Sequence, residues 1–333
     1  LGDSTIDIFD LDILVPANAL LLEKMDENPN EVNRQIGRNV ASLIPNGATI
    51  QFGMGRHLGR GRLPHAAIEF LHDKKDLGIH TEMITDSIID LIESGAVNGS
   101  RKSYDRGKIV TSFCMGTQKL YDYVDNNPLF CFRPTEYVND PGIIRKQHLM
   151  MAINPAQEID LTGQVCSDSS QGRLYSGIGG LVDFNRGASK SKNGKSIIVM
   201  PSTDIEETRS NIVSKLSTGA GVVVTRGTVY YVVTEYGIAY LYGKSIQERV
   251  MALIAIAHPK FREQLFKEAI DLFYIPPNMA DISGKFFVPA DEAIRGSMLI
   301  EDGTQISFRS IQPTDEPKIK DLLYALSKET IYY

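Results

Sequence analysis

Tryptophan is absent from this sequence and cysteine is scarce, with Cys114, Cys131 and Cys166 the only three. An odd set without CxxC spacing excludes a disulfide scaffold and a cysteine-rich zinc site, and it suits a reducing cytoplasm. No apolar run approaches the ~20 residues of a membrane helix and no signal peptide is recognisable, so no membrane partner is expected. An excess of positive charge is also lacking. Lys and Arg number 35 against 41 Asp and Glu, a net charge of −6. Such a chain has no general basic face for nucleic acid. The six histidines (57, 65, 72, 80, 148 and 258) show no HExxH spacing, which argues against a zinc hydrolase and leaves no metal site to expect. A GxSxG elbow fails because Leu174 stands where the first glycine would precede Ser176. No solenoid-period repeat and no long low-complexity tract is present.

What is present is a 333-residue chain that is 42% hydrophobic, enough for a real core in about two domains or one large one. Residues 28–44 read as a helix through Val32, Ile36, Val40 and Leu43. Ala48 to Phe52 reads as a buried strand running into Gly53-Met54-Gly55, and Leu63-Pro64 opens a second helix. Ile79 to Thr81 is strand-like, and Thr85 or Asp86 can cap a third helix that stops at Gly95. Strand then helix, repeated, is the rhythm of an α/β domain with a largely parallel sheet. Further along, Lys108 to Val110, Met150 to Ile153 and Ile197 to Met200 read as strands. Val222 to Val224, a turn at Arg226-Gly227-Thr228, and Val229 to Val233 predict an antiparallel hairpin. Ser245 caps a long helix that Pro259 interrupts.

Four segments can carry chemistry. Gly53-Met54-Gly55 follows a strand, and glycines there let backbone N–H groups approach an anion. It is neither a Rossmann fingerprint, since position 58 is Leu, nor a P-loop. The alternative is a tight strand-to-helix connection. Glu82, in HTEMITD (80–86), sits near the carboxyl edge of the sheet, where open α/β folds bind ligands; it can equally be a solvated surface Glu. Ser176-Gly177-Ile178-Gly179-Gly180 can present bare N–H groups or be a flexible turn. Glu235, in TEYG (234–237), can be buried or face a cleft.

Together these segments resemble the acetyl-CoA hydrolase/4-hydroxybutyrate CoA-transferase family. The matching stretches are QFGMG (51–55), LGIHTEMITDSIIDLIESG (77–95), FRPTEYVNDP (132–141), AINPAQEIDLTGQV (152–165), GIGGLVDFNRGA (177–188), IIVMPST (197–203), VVTEYGIAYLYGKS (232–245) and AHPKFREQL (257–265). They occur in the family's order. The resemblance implies an α/β fold of the CoA-transferase (NagB/RpiA) type, an open, mostly parallel sheet flanked by helices. It implies acyl-CoA:carboxylate CoA transfer, with hydrolysis as a lesser activity and Glu82 as the nucleophile. Coenzyme A and acyl-CoA enter as substrates, with small carboxylates as the other partners and no tightly bound cofactor. By the same resemblance Gly53, Met54, Gly55, Ser176, Gly179 and Gly180 contact CoA or an oxyanion, and Asn139 and Glu235 lie by the substrate pocket. A reading of another class is a module that binds acyl-CoA without turnover and regulates or feeds an acetyltransferase.

Three departures from the family pattern stand out. Residues 56–62 read as an insertion that adds Arg56, Arg60 and Arg62 beside the glycine turn. A lysine expected beyond IIVMPST is replaced by the acidic Asp204, Glu206 and Glu207. By the same resemblance the family's N-terminal sister domain is expected to be absent here, and the surface so exposed is expected to favour association of copies. The expected organisation is a linker or remnant over 1–27, the CoA-transferase domain over 28–275, a linker over 276–305, and over 306–333 the opening strand and helix of a GNAT-like acetyltransferase domain.

Overall fold

The computed structural model describes residues 2–24, 29–54, 63–170, 172–278, 295–300, 302–309, 311, 315–327 and 330. In chain order the first half holds α1 (Glu31–Leu43), β1 (Thr49–Phe52), a 3-10 helix (Leu63–Phe70), β2 (Gly78–Ile84), α2 (Ser87–Glu93), β3 (Ile109–Cys114), α3 (Gln118–Val124), β4 (Phe130–Phe132), α4 (Thr135–Val138), α5 (Pro141–Ile144) and β5 (Met150–Pro155). Next come β6 (Glu158–Asp160), β7 (Val165–Cys166), β8 (Ser169–Ser170), β9 (Arg173–Leu174), α6 (Leu181–Lys190), β10 (Lys195–Val199) and β11 (Ile212–Val213). The domain closes with β12 (Tyr231–Thr234), β13 (Gly237–Tyr240), α7 (Ile246–Ala255) and α8 (Pro259–Asp271). A ribbon of β14 (Arg295–Leu299) and β15 (Gln305–Arg309), then α9 (Glu316–Ala325), follow.

Eight strands form one sheet in the order β13-β12-β10-β5-β1-β2-β3-β4. Every neighbouring pair is parallel except β12 and β13. Helices cover both faces, so the central strands β1 and β5 are buried along their whole length. One face buries Ile36, Val40 and Leu43 of α1 with Leu63 and Ile89. Toward the β12 side, Val250 and Leu253 of α7 and Leu265 and Phe266 of α8 close a second cluster over Ile198 and Val232. A small third cluster joins Val138, Ile144 and Phe184 to Met150 and Ala152. Residues 2–24 are largely exposed, touching the body through Asp3 N–H to Phe132 O and Lys24 N–H to Gly116 O.

Local chemistry explains most boundaries. Asn30 caps α1 by accepting from Asn33 N–H at 2.9 Å, and Ser245 with Glu248 forms a reciprocal capping box on α7. Pro259 opens α8 at its first turn, where a missing N–H costs nothing.

Three sequence expectations are corrected. The antiparallel hairpin is β12–β13, turning at Glu235-Tyr236; Val229 and Tyr230 precede its first strand. Val224 makes only an isolated bridge to Val165: it alone of this run is buried, beside a second, three-stranded sheet, β11-β6-β7, that the sequence did not reveal, while Val222 is exposed. The helix opened by Leu63-Pro64 is 3-10 rather than α. Glu82 lies within β2, two residues before its end, rather than beyond it.

Candidate active site

The sheet changes direction at β1. From β1 the chain builds outward through β2, β3 and β4, then returns to place β5 on the other side. Open α/β sheets form a ligand crevice at the carboxyl ends of strands flanking such a reversal. Here the crevice is widened by a split. β1 and β2 pair only at Thr49–Gly78 and Ile50–Ile79. Above that point β1 stays with β5 and β2 with β3. The Thr81 hydroxyl spans the gap, donating to Phe52 O at 3.2 Å and accepting from Phe52 N–H at 3.3 Å.

A cleft of about 210 Å³ lies at these strand ends. Glu82 lines it from β2, Gln51 from β1 and Met54 from just beyond it, and Asn154, Pro155 and Gln157 from β5 and beyond. Ser167 and residues 176–181 complete the wall, leading into α6. Glu82 Oε2 accepts a hydrogen bond from Asn139 Nδ2 at 3.1 Å. A carboxylate only accepts, so this contact fixes which end of the Asn139 amide faces it. Gly180, the N-cap of α6, packs against the same pair. A Cβ built on it would overlap both Glu82 Oε2 and Asn139 Nδ2, so glycine is needed for close approach. The carboxylate thus sits between the C-terminal end of α4 and the N-terminal end of α6, and the latter carries partial positive charge.

The structure therefore gathers Glu82, Met54, Ser176, Gly179, Gly180 and Asn139 in one place. Ser176 Oγ donates to Gly177 O at 3.0 Å. Tyr175 beside it donates to Ser167 O at 2.9 Å, and burial pushes its hydroxyl pKa up to about 12. Gly53 is adjacent, but its N–H already donates to Ile153 O at 2.8 Å. Its lack of a side chain makes room for Asn154. Gly55 and the arginines at 56, 60 and 62 lie outside the described residues. Glu235 is not among the residues lining the cleft. It sits in the β12–β13 turn, where its carboxylate accepts from Ser202 N–H at 3.0 Å and from Ser202 Oγ at 2.5 Å. The acidic stretch after IIVMPST forms a turn in which Asp204 accepts from Thr208 and Arg209. Among the described residues no group of three or more His, Cys, Asp or Glu side chains is placed to hold a metal, and no helix is long and apolar enough to cross a membrane.

Among the cleft residues that the sequence does not single out is a buried polar pair. Gln51 and Asn154 exchange hydrogen bonds at 3.0 and 3.1 Å, and they are 2% and 4% exposed. The available signal was a polar side chain inside each of two otherwise buried strands, at the end facing the cleft.

The profile described as "Acetyl-CoA hydrolase/transferase C-terminal domain" matches residues 116–269. A 4-hydroxybutyrate coenzyme A transferase of Clostridium kluyveri is 48% identical over 268 residues, covering 80% of this chain and 61% of that protein. The chain belongs to the acetyl-CoA hydrolase/transferase family. Another relative within it is a succinyl-CoA:acetate/propanoyl-CoA:succinate CoA transferase of Fasciola hepatica, 42% identical over 280 residues, 83% of this chain and 57% of that one. Among solved structures, RipA from Yersinia pestis superposes with a TM-score of 0.75 at 38% identity, over 81% of this chain and 60% of RipA. A 4-hydroxybutyrate CoA-transferase from Porphyromonas gingivalis superposes with a TM-score of 0.65 at 41% identity, over 76% of this chain and 58% of that one. The chain thus spans about three-fifths of the length of these family members.

Proposed function

We propose that this site transfers coenzyme A between an acyl-CoA and a free carboxylate, with Glu82 as a covalent nucleophile. The observation that supports it is the setting of Glu82. Its carboxylate lines the cleft, accepts one amide hydrogen bond from Asn139, and rests against the bare backbone of Gly180 at a helix N-terminus.

In this reading a Glu82 oxygen attacks the thioester carbonyl of acyl-CoA. The tetrahedral adduct collapses by breaking the C–S bond, giving a mixed anhydride and CoA thiolate. The thiolate attacks the glutamyl carbonyl and expels the first carboxylate, leaving a glutamyl-CoA thioester. The acceptor carboxylate then attacks that thioester and CoA returns through a second anhydride, which restores the Glu82 carboxylate. Two moderate steps replace one difficult exchange. Each adduct carries an oxyanion, and one preorganised donor to it contributes ~3 kcal/mol. The Met54 and Gly180 backbone N–H groups and the second Asn139 amide hydrogen are the donors this reading assigns. Water in place of the acceptor acid gives hydrolysis, the activity in the name of a 31% identical Kluyveromyces lactis relative, acetyl-CoA hydrolase. Exclusion of water therefore decides between the two outcomes.

Borohydride tests the reading. With acyl-CoA present and no acceptor, it should reduce the glutamyl thioester to an alcohol, and mass spectrometry should place the modified residue at Glu82. CoA binding without any trapped adduct or exchange would instead establish a module that binds acyl-CoA without turnover.

A further inference from the structure

We propose that His80 is a positioning residue for the nucleophile, holding the end of α4 so that the Asn139 amide stays against the Glu82 carboxylate. The inference rests on the reading of Glu82 as nucleophile, but the contact itself is tested independently of activity.

His80 and Glu82 are two apart on β2, so their side chains leave the same face of the sheet. His80 has no solvent exposure. Its Nε2 lies 2.8 Å from the Val138 carbonyl oxygen. A carbonyl only accepts, so Nε2 carries the proton and Nδ1 keeps a lone pair. Nδ1 has no partner among the described residues. An unpaired buried nitrogen is a cost that a plain core residue would not carry, and it draws attention to what the other nitrogen holds.

That nitrogen holds the end of a very short helix. α4 has four residues, and the final carbonyls of any helix lack internal partners. Val138 O is met by His80, and the next residue is Asn139. The Asn139 N–H donates to Thr135 O at 2.8 Å while its side chain donates to Glu82 at 3.1 Å. The path from His80 through Val138 and Asn139 to Glu82 leaves β2 and returns to it two residues later. Beside this contact, Tyr137 OH donates to Asp105 at 2.8 Å, pinning the turn a second time.

The groups facing His80 are the charges of Lys102 and Asp105, the Val138 carbonyl, and the rings of Tyr137 and Phe184 at 6.4 and 6.2 Å. Burial, reinforced by the Lys102 charge, holds the imidazole pKa down to about 4. The ring is therefore a neutral N–H donor near pH 7, an anchor rather than an acid or base.

Three variants of the full chain test this. His80→Gln places an amide N–H near the Nε2 position. His80→Asn is too short to reach Val138, and His80→Met offers no donor. The first readout is the NMR shift and exchange rate of the Asn139 side-chain amide, with Glu82→Gln as the reference lacking the carboxylate. His80→Gln should keep the wild-type signal, and His80→Asn and His80→Met should move to the reference value. The second readout is kinetic. His80→Asn and His80→Met should lose about 30-fold in kcat for CoA exchange while KM for acyl-CoA stays within about twofold, and His80→Gln should remain near wild type. If His80→Met does not fold, His80→Asn carries the comparison. A wild-type Asn139 signal in either variant that loses the Val138 contact overturns the inference, as does an equal kcat loss in His80→Gln. Undiminished exchange in Glu82→Gln would instead refute the nucleophile reading, leaving the NMR result to stand on its own.

Discussion

Two glutamates lie at the carboxyl ends of parallel strands in this sheet, and their surroundings differ. Glu235, at the end of β12, is engaged by both the backbone N–H and the hydroxyl of Ser202. Glu82, near the end of β2, accepts from one side-chain amide and otherwise borders the cleft. Position at a strand end is therefore not what marks a reactive carboxylate. The distinction lies in how much of its accepting capacity the protein already uses. A carboxylate satisfied by a loop serves to shape that loop; one left partly unsatisfied beside a helix N-terminus is free to meet a ligand, which is the role proposed for Glu82.

The strongest way to break this contrast is Glu82→Gln. Exchange should fall at least about 10³-fold, since the attacking oxygen is gone, while the thermal midpoint moves little. Enzyme assay beside a melting curve checks both. Gly180→Ala comes next, because its new Cβ would displace the Glu82–Asn139 pair. A shift of this kind predicts a loss of about 10²-fold in kcat, with the Glu82→Gln rate as the floor. Asn139→Ala removes the charge-assisted hydrogen bond to Glu82 together with one of the oxyanion donors proposed above, and kcat should drop by a comparable ~10²-fold. Glu235→Ala should act on stability instead. Leaving Ser202 N–H without its acceptor should lower unfolding free energy by about 2 kcal/mol in urea titration, with the borohydride-trapped Glu82 adduct still formed. Trapping lost together with intact stability would invert the comparison.

The smallest effect concerns pH. The His80 pKa falls from 6.5 to about 4 on folding, so the unfolded chain binds the extra proton between those values. Stability from the neutral ring is complete above the unfolded pKa and disappears as pH falls toward the folded one. About 1 kcal/mol should be lost between about pH 7 and pH 5.5, with that component absent from His80→Gln.

Much of the site was legible because its residues occupy short, ordered motifs. HTEMITD placed Glu82 at the right edge of the sheet, and the glycines before α6 were visible as a cluster. What stayed hidden depends on distance in sequence. Asn139 meets Glu82 only because α4 folds back over β2, a contact across 57 positions. The Gln51–Asn154 pair joins strands 103 positions apart. The misplaced hairpin has a local cause. Val222 to Val224 and Val229 to Val233 are both apolar runs, and hydrophobicity alone does not tell a strand in the main sheet from a segment that meets a smaller one through a single buried residue, Val224. The motif around Glu235 resembles that of a pocket residue, yet the loop holding Ser202, supplied by the strand before, occupies its carboxylate.

The seam between β1 and β2 has a mechanical meaning. It divides the main sheet into two leaves, β2 to β4 on one side and the remaining strands on the other, sharing a short ladder at the base and a single hydroxyl bridge above. Glu82 rides on the smaller leaf, and Gly180 leads into a helix packed on the larger one. A slight rocking of one leaf against the other would change the distance between the Glu82 carboxylate and the Gly180 backbone, and the apolar cluster that runs across both leaves is what resists it.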